Sequence, residues 1–220
     1  MSEPRNIYIG RHGHREDFLG DSWIETWQQT ALRPYDPGLS GIGVAQAKQL
    51  GQRLQGLNVS YIFASPFLRT LETAHYVAEA LQLPVKIEEG ICEWLHPRWF
   101  QTDPDFLNLS EARTKFPHID IEYKSRLRRT YPEYDEKTDV WPKIGPLIHT
   151  LMEQFEGGLL FIGHGSSVTG IARALGGPDV KIIRKTCSLI HFVQQDRQWH
   201  MLLNGCTNHL SVTEHTVRLG

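Results

Sequence analysis

The sequence predicts an α/β protein, a three-layer α/β/α sandwich with a mostly parallel central sheet and an inserted cap. Two apolar runs, Ile7-Tyr8-Ile9 and Leu159-Leu160-Phe161-Ile162, are each followed closely by a histidine and a glycine, His12-Gly13 and His164-Gly165. Between and beyond them, short apolar runs alternate with stretches of helical period, the pattern of strands joined by crossover helices. Ligands of open α/β sheets bind outside the carboxyl ends of the strands, so two such ends, distant in sequence, can deliver their histidines to one crevice.

The first strand covers Ile7 to Ile9. Glu16 to Gly38, with Trp23, Trp27, Pro34 and Pro37 and only weak periodicity, reads as a structured loop near the site. Ser40 is placed to cap a helix whose apolar face is Ala45, Ala47, Leu50, Leu54 and Leu57, with Gly56 helping to end it. Tyr61 to Ala64 follows as a strand. Ser65-Pro66 suits an N-cap and a first helical position, giving a helix from Pro66 to about Leu81 with Arg69 in its first turn. Val85 to Glu88 is the next strand. From about Cys92 to Lys143 the pattern breaks into short helical pieces and loops rich in aromatics, among them Trp94, Trp99, Phe100, Phe116, Tyr123, Tyr131, Tyr134 and Trp141, and this stretch, about 92–145, reads as the cap. Pro146 to Phe155 and Ser166 to Leu175 are helices flanking the Leu159 strand. Ser188–Val193 and Trp199–Leu203 make a hairpin. There is no internal repeat and no low-complexity tract.

At 220 residues, 40% of them hydrophobic, the chain suits a single large α/β domain, 1–220. A formal charge of -2 gives no electrostatic case for nucleic acid as the main partner. Cys92, Cys187 and Cys206 form neither a CxxC nor a zinc-finger spacing, so no disulfide framework and no structural metal is expected, which fits a reducing cytosol. Residues 1–6 lack the apolar core of a signal peptide, and no run approaches the roughly 20 apolar residues of a membrane span. The expectation is a cytoplasmic protein without a membrane partner.

Arg11, His12, His14 and Arg15 place two permanent positive charges and two imidazoles within five positions. Guanidinium groups grip phosphate with fixed geometry, and a neutral imidazole is a competent nucleophile toward phosphorus, so the cluster points to phosphoryl transfer onto histidine. Metal ligation by His12 and His14 is the competing reading, but two flanking arginines oppose a dication and only Glu16 and Asp17 supply nearby acids. Arg69 has an ordinary alternative as a helical ion pair with Glu72. Glu93, flanked by Cys92 and Trp94, is expected to be partly buried and so shifted toward an acid's range, with Glu88 and Glu89 as rivals. His164 stands before Gly165-Ser166-Ser167 at a helix start, a place suited to anions. That stretch lacks the Gly-x-Ser-x-Gly spacing of a nucleophile elbow.

Arg11-His12-Gly13, Ser65-Pro66 with Arg69-Thr70 and Thr73-Ala74, Glu93, and His164-Gly165, in that order, resemble the histidine phosphatase superfamily, which also holds the phosphoglycerate mutases. The nearer resemblance is to the branch of ecdysteroid-phosphate phosphatases and suppressor-of-T-cell-receptor-signalling phosphatase domains. There the first motif continues Arg-His-Gly-Glu-Arg-x-Asp with a Phe-Gly and a Trp soon after; here it continues His14-Arg15-Glu16-Asp17, then Gly20 and Trp23. The resemblance implies that His12 attacks phosphorus, that Arg11, Arg69 and His164 hold the phosphate oxygens, with Arg15 and Gly165 as added phosphate ligands, and that Glu93 is the proton donor. It implies no metal and no cofactor.

The expected function is metal-independent hydrolysis of a small organic phosphate ester through a phosphohistidine. Trp94, Trp99, Phe100, Tyr131 and Tyr134 favour an apolar or aromatic leaving group, while His96, Arg98, Arg126, Arg128 and Arg129 keep a polyanion open. A mutase or bisphosphatase is the alternative, and a non-catalytic phospholigand-binding scaffold is the alternative of another class. A phosphoprotein substrate and a homodimer stay open. His14, where the related branch has Glu, carries a further expectation: protonated, it would oppose protonation of His12.

Overall fold

The computed structural model describes residues 5–18, 23–134 and 140–212; Gly20 lies outside them, as do residues 1–4 and the side chains of Trp23 and Trp141. The strands are β1 (Arg5–Arg11), β2 (Tyr61–Ala64), β3 (Val85–Ile87), β4 (Leu159–Gly163), β5 (Leu189–Gln195) and β6 (Gln198–Cys206). The helices are α1 (Trp23–Thr30), α2 (Gly41–Leu54), α3 (Leu68–Leu81), α4 (Leu109–Lys115), α5 (Val140–Gln154) and α6 (Gly165–Gly176).

The six strands form one sheet in the order β3-β2-β4-β1-β5-β6. The four strands from β3 to β1 run parallel, and the β5–β6 hairpin joins antiparallel beside β1. Period-two alternation sends one set of side chains to each face. Tyr8, Ile62, Ala64, Leu160, Ile162 and Leu189 pack with Ala47, Leu50 and Leu54 of α2 and Leu71, Ala74 and Val77 of α3. Ile7, Ile9, Phe63, Leu159, Phe161, Ile190 and Phe192 pack on the other face with Ile144, Ile148 and Leu151 of α5 and Val168, Ile171 and Ala172 of α6. The expected sandwich is therefore present, with helices on both sides of a mixed sheet. Full burial of each large aliphatic or aromatic side chain here is worth about 1.5–3 kcal/mol.

Register sets the functional geometry. Arg11 of β1 pairs with Gly163 of β4, so His12 and His164 are the next residues on adjacent parallel strands, and the His12 amide donates to the Gly163 carbonyl at 3.0 Å. Gly13 is demanded by close approach: a Cβ there would lie 2.7 Å from the carbonyl oxygen of Gly43 in α2.

Three local expectations are corrected. Part of the stretch read as loop forms α1, an eight-residue helix too short to set a period across the whole of Glu16 to Gly38. Ser65 does not cap the next helix: α3 begins at Leu68 with Phe67 at the N-cap position, and the Leu68 amide is satisfied by Asp36 Oδ1 at 2.7 Å. The helix expected from Pro146 begins at Val140, because a proline can be held inside a helix whose neighbours pack well enough to offset the lost bond. Ser40 does cap α2, its hydroxyl accepting from Gly43 at 3.2 Å. Within 92–134 the regular element is α4, closed by a reciprocal box in which Asn108 accepts from the Glu111 amide and Glu111 accepts from the Asn108 amide.

Candidate active site

His12 is 1% exposed at the carboxyl end of β1. Its Nδ1 lies 2.8 Å from the Gly13 carbonyl, which only accepts, so Nδ1 carries the proton and Nε2 keeps its lone pair. Burial, then the charges of Arg11 and Arg69, hold its pKa well below the ordinary value. The ring is therefore neutral at neutral pH, the state a nucleophile requires. The Gly13 amide donates to Thr73 Oγ1 at 3.0 Å, and that hydroxyl donates to the Arg69 carbonyl at 2.7 Å, tying the end of β1 to the first turns of α3.

Arg69 is 2% exposed, and its Nε and Nη1 have no hydrogen-bond partner among the described residues. The guanidinium lies 4.1 Å over the Phe67 ring, and Nη1 is 4.0 Å from Asp36 Oδ1. It does not pair with Glu72, whose carboxylate accepts from the Leu39 amide and meets Lys115 instead. Burial and Arg15 lower the Arg69 pKa to about 10, against Glu93 and Asp36, which leaves it charged at neutral pH. Arg11 is also lowered to about 10, chiefly by burial. Its Nη1 donates to the Arg184 carbonyl at 3.0 Å, and its Nε is unpartnered. Arg15 forks onto the Asp17 carboxylate and covers the Phe18 ring at 4.5 Å, so part of its charge is already balanced.

His164 is fully buried at the carboxyl end of β4, its ring 5.4 Å from that of His12 between centroids. Ser65 Oγ sits 2.8 Å from its Nε2, while Nδ1 is 3.6 Å from Glu93 Oε2 and has no hydrogen-bond partner. The Ser65 contact occupies Nε2, so Nδ1 is the ring nitrogen that faces the carboxylate. Burial and the neighbouring arginines hold this imidazole neutral. Glu93 Oε1 accepts from the Ser166 hydroxyl and from the Trp94 amide. Gly165 is the first residue of α6, whose N-terminus presents amide donors at the same edge.

Seven of the expected residues, Arg11, His12, Arg15, Arg69, Glu93, His164 and Gly165, thus gather at one sheet edge. His14 does not share their role. Its Nδ1 lies 2.8 Å from Ser40 Oγ and its amide donates to Gln46, so it is packed against α2. Burial lowers its pKa, and the charges that act on His12 are those of Arg11, Arg69 and Arg15, which corrects the expectation of a protonated His14 opposing His12. Glu88 and Glu89 are occupied elsewhere: Glu88, fully buried, accepts from Tyr123, Ser125, Arg126 and Leu127, and Glu89 accepts from the Arg129 amide. A surface groove of about 400 Å³ beside Gln28, Tyr35 and Gln101 contains none of the site residues.

Sequence reasoning missed Phe67, Asp36, Ser166, Arg184 and the true partner of Ser65. Phe67 had a signal in its place two residues before Arg69. Asp36 and Arg184 had none, since both arrive from loops whose paths depend on the whole fold. Among the described residues no group of three or more His, Cys, Asp or Glu is arranged to hold a metal ion, and no helix is long and apolar enough to cross a membrane. All three cysteines are free.

The chain is 28% identical to mouse ubiquitin-associated and SH3 domain-containing protein A, over 88% of this chain and 38% of that protein. It is 26% identical to the ecdysteroid-phosphate phosphatase of Drosophila melanogaster, over 93% of this chain and 32% of that protein. It therefore spans about a third of the length of these curated relatives. The crystal structure of the Bombyx mori ecdysone phosphate phosphatase in complex with tungstate shares the fold at a TM-score of 0.71 and 19% identity, covering 98% of both chains. Bacillus stearothermophilus YhfR matches at a TM-score of 0.64 and 20% identity, over 94% of this chain and 99% of its own. The family profile matches residues 7–207, nearly the whole described fold and every residue of the buried histidine-arginine cluster, and the chain belongs to the histidine phosphatase superfamily, branch 1.

Proposed function

We propose that this protein hydrolyses phosphate monoesters without a metal, through a phosphohistidine formed on His12. The observation that carries this reading is the neutral His12 ring, its Nδ1 held by the Gly13 carbonyl so that Nε2 keeps its lone pair, beside buried Arg11 and Arg69 N–H groups that have no hydrogen-bond partner among the described residues. Phosphoryl transfer needs positioning and stabilisation of spread negative charge more than covalent help, and buried guanidinium groups supply both.

In the first step His12 Nε2 forms a bond to phosphorus as the ester P–O bond breaks, and the Glu93 carboxyl protonates the departing oxygen. Arg11, Arg69, the Nδ1–H of His164 and the amides at the start of α6 receive the phosphoryl oxygens, and Arg15 adds its charge at the rim. In the second step the Glu93 carboxylate takes a proton from water, the oxygen attacks phosphorus, and the P–N bond breaks to return His12 and release phosphate. General acid–base help of this kind is worth about 10²–10⁴ in rate.

The leaving group in this reading is apolar or aromatic. Phe67, which abuts both Arg69 and His164, is continuous with a cluster of Cys92, Leu95, Phe100, Phe106, Tyr35 and Tyr131, so the wall beside the phosphate is aromatic. The segment from residue 92 onward then serves as a cap within a single domain, and it contributes Glu93. The ecdysteroid-phosphate phosphatase named among the relatives fits an apolar alcohol.

The test is hydrolysis of p-nitrophenyl phosphate in excess chelator by wild type and His12→Ala, with trapping of labelled phosphohistidine. Turnover that survives chelator, disappears with His12 and passes through a labelled histidine is the expected result. Chelator-sensitive turnover would overturn the metal-independent reading, and a folded protein that transfers phosphate between phosphoglycerates faster than it hydrolyses would favour a mutase.

A further inference from the structure

The first turn of α6 carries two adjacent serines with different partners. Ser167 closes the helix start, its hydroxyl oxygen accepting from the His164 amide at 2.9 Å. Ser166 takes no part in that cap. A serine in a first helical turn ordinarily bonds to nearby backbone. The Ser166 hydroxyl, on a residue 5% exposed, instead donates to Glu93 Oε1, 73 residues earlier in the chain.

Glu93 stands just past the short helical turn Glu89–Ile91, outside every named helix and strand, so its own backbone does little to aim it. Its two oxygens are used unequally. Oε1 accepts from the Ser166 hydroxyl and, at 3.1 Å, from the Trp94 amide. Oε2 accepts no hydrogen bond among the described residues and meets His164 Nδ1 at 3.6 Å. An amide N–H only donates, so the Trp94 contact keeps Oε1 an acceptor and leaves Oε2 as the oxygen that carries a proton. The Trp94 amide belongs to the neighbouring residue and travels with Glu93. Ser166, on the turn that begins at His164, is therefore the hydrogen-bond donor that ties the carboxyl group to the rest of the fold.

We propose that Ser166 is a positioning residue for the proton transfer: its hydroxyl ties Glu93 to the α6 turn that begins at His164, and so holds Oε2 toward the oxygen that leaves phosphorus. The inference rests on the phosphatase reading above, because it needs Glu93 to be the acid. In the first step the proton on Oε2 passes to the ester oxygen while that P–O bond breaks and the P–N bond forms. In the second, Oε2 takes a proton from water as the new P–O bond forms and the P–N bond breaks. Ser166 keeps its own proton throughout.

The experiment measures kcat/KM, which reports the step that phosphorylates His12, for phenyl phosphate and for p-nitrophenyl phosphate. Phenolate is the poorer leaving group and depends more on being protonated. In Ser166→Ala the phenyl-to-nitrophenyl ratio should fall roughly tenfold, the effect of one charge-assisted hydrogen bond, while Tm stays close to wild type. Ser166→Thr, which keeps the hydroxyl, should restore part of the ratio. In a Glu93→Gln background, Ser166→Ala should leave the ratio where Glu93→Gln has put it. An unchanged ratio in folded Ser166→Ala, including an equal loss for both esters, overturns the proposal and makes the serine a packing contact. A further fall of the ratio in the Glu93→Gln background overturns it as well. Failure of the underlying reading looks different: Glu93→Gln would then keep the wild-type ratio, or turnover would survive His12→Ala.

Discussion

Ser65 Oγ and His164 Nε2 are 2.8 Å apart although 99 residues separate them, and this contact leaves Nδ1 as the nitrogen of the buried imidazole that faces Glu93. Ser65 is thereby a positioning residue. Replacing it with alanine leaves Nε2 unsatisfied in a fully buried place, and the ring can take the other tautomer. We expect Ser65→Ala to fold and to lose about tenfold in kcat with little change in KM. Steady-state kinetics across mildly acid to neutral pH check this; wild-type kcat at every pH would mean that the hydroxyl only fills space.

Glu88 and Glu93 stand five residues apart and separate cleanly by experiment. Glu88 gathers five donors, Tyr123, Ser125, and the amides of Arg126, Leu127 and Gly90, so Glu88→Gln loses acceptors where all neighbours donate. A cost of about 3 kcal/mol follows, lowering Tm by roughly 6–12 °C. Glu93→Gln, at a half-buried site, should leave Tm nearly unchanged and depress turnover of esters with poor leaving groups far more than of p-nitrophenyl phosphate. Similar Tm losses in both variants would contradict this division.

Asp36 is buried beside Arg69 and titrates unusually. Burial raises its pKa from 3.8 to about 7, with Arg69 and the Leu68 amide opposing the rise. The folded protein therefore binds a proton there that the unfolded chain has released, and stability falls as pH climbs from about 4 toward 7. In Asp36→Asn that share of the slope should vanish, because the amide oxygen still accepts from Leu68 while no charge needs burying. Urea midpoints at intervals between pH 4 and 8 measure it; parallel curves for wild type and variant would show that Asp36 is ionised throughout.

His12 and His164 act with the opposite sign. Both are buried as neutral rings with pKa values well below 6.5, so their contribution is whole above pH 6.5 and is lost progressively as pH falls through their folded values. His164→Ala should flatten the acid side of the stability profile between pH 6.5 and 5 whatever it does to Tm at neutral pH. An acid slope as steep as wild type would mean that the ring is already charged in the fold.

The framework and most of the site were legible because they rest on local rules. Apolar runs ending in His12 and His164 gave β1 and β4, the Ser40 cap gave α2, and the clustered cations around His12 pointed to phosphoryl transfer. What stayed hidden depends on tertiary partners. Ser65-Pro66 reads as a cap and first turn, yet the fold uses Asp36 for the Leu68 amide and frees the serine for His164. Trp27 and its neighbours form α1 in only eight residues, too few to set a period across Glu16 to Gly38. His14 looked like a second reactive imidazole because sequence adjacency cannot tell that alternate residues past a strand end face Ser40 on one side and the ligand on the other.

The pairing of Arg11 with Gly163 has a consequence for durability. The two histidines hang from neighbouring strands in the middle of the sheet, where paired amides resist local opening, whereas Glu93 stands on a loop, the kind of segment that opens at lower cost. In the proposed mechanism the groups given to phosphate are thus as lasting as the fold itself, and the proton donor is the part that can loosen, or be re-aimed by a few loop substitutions, while the sheet and His12 stay as they are.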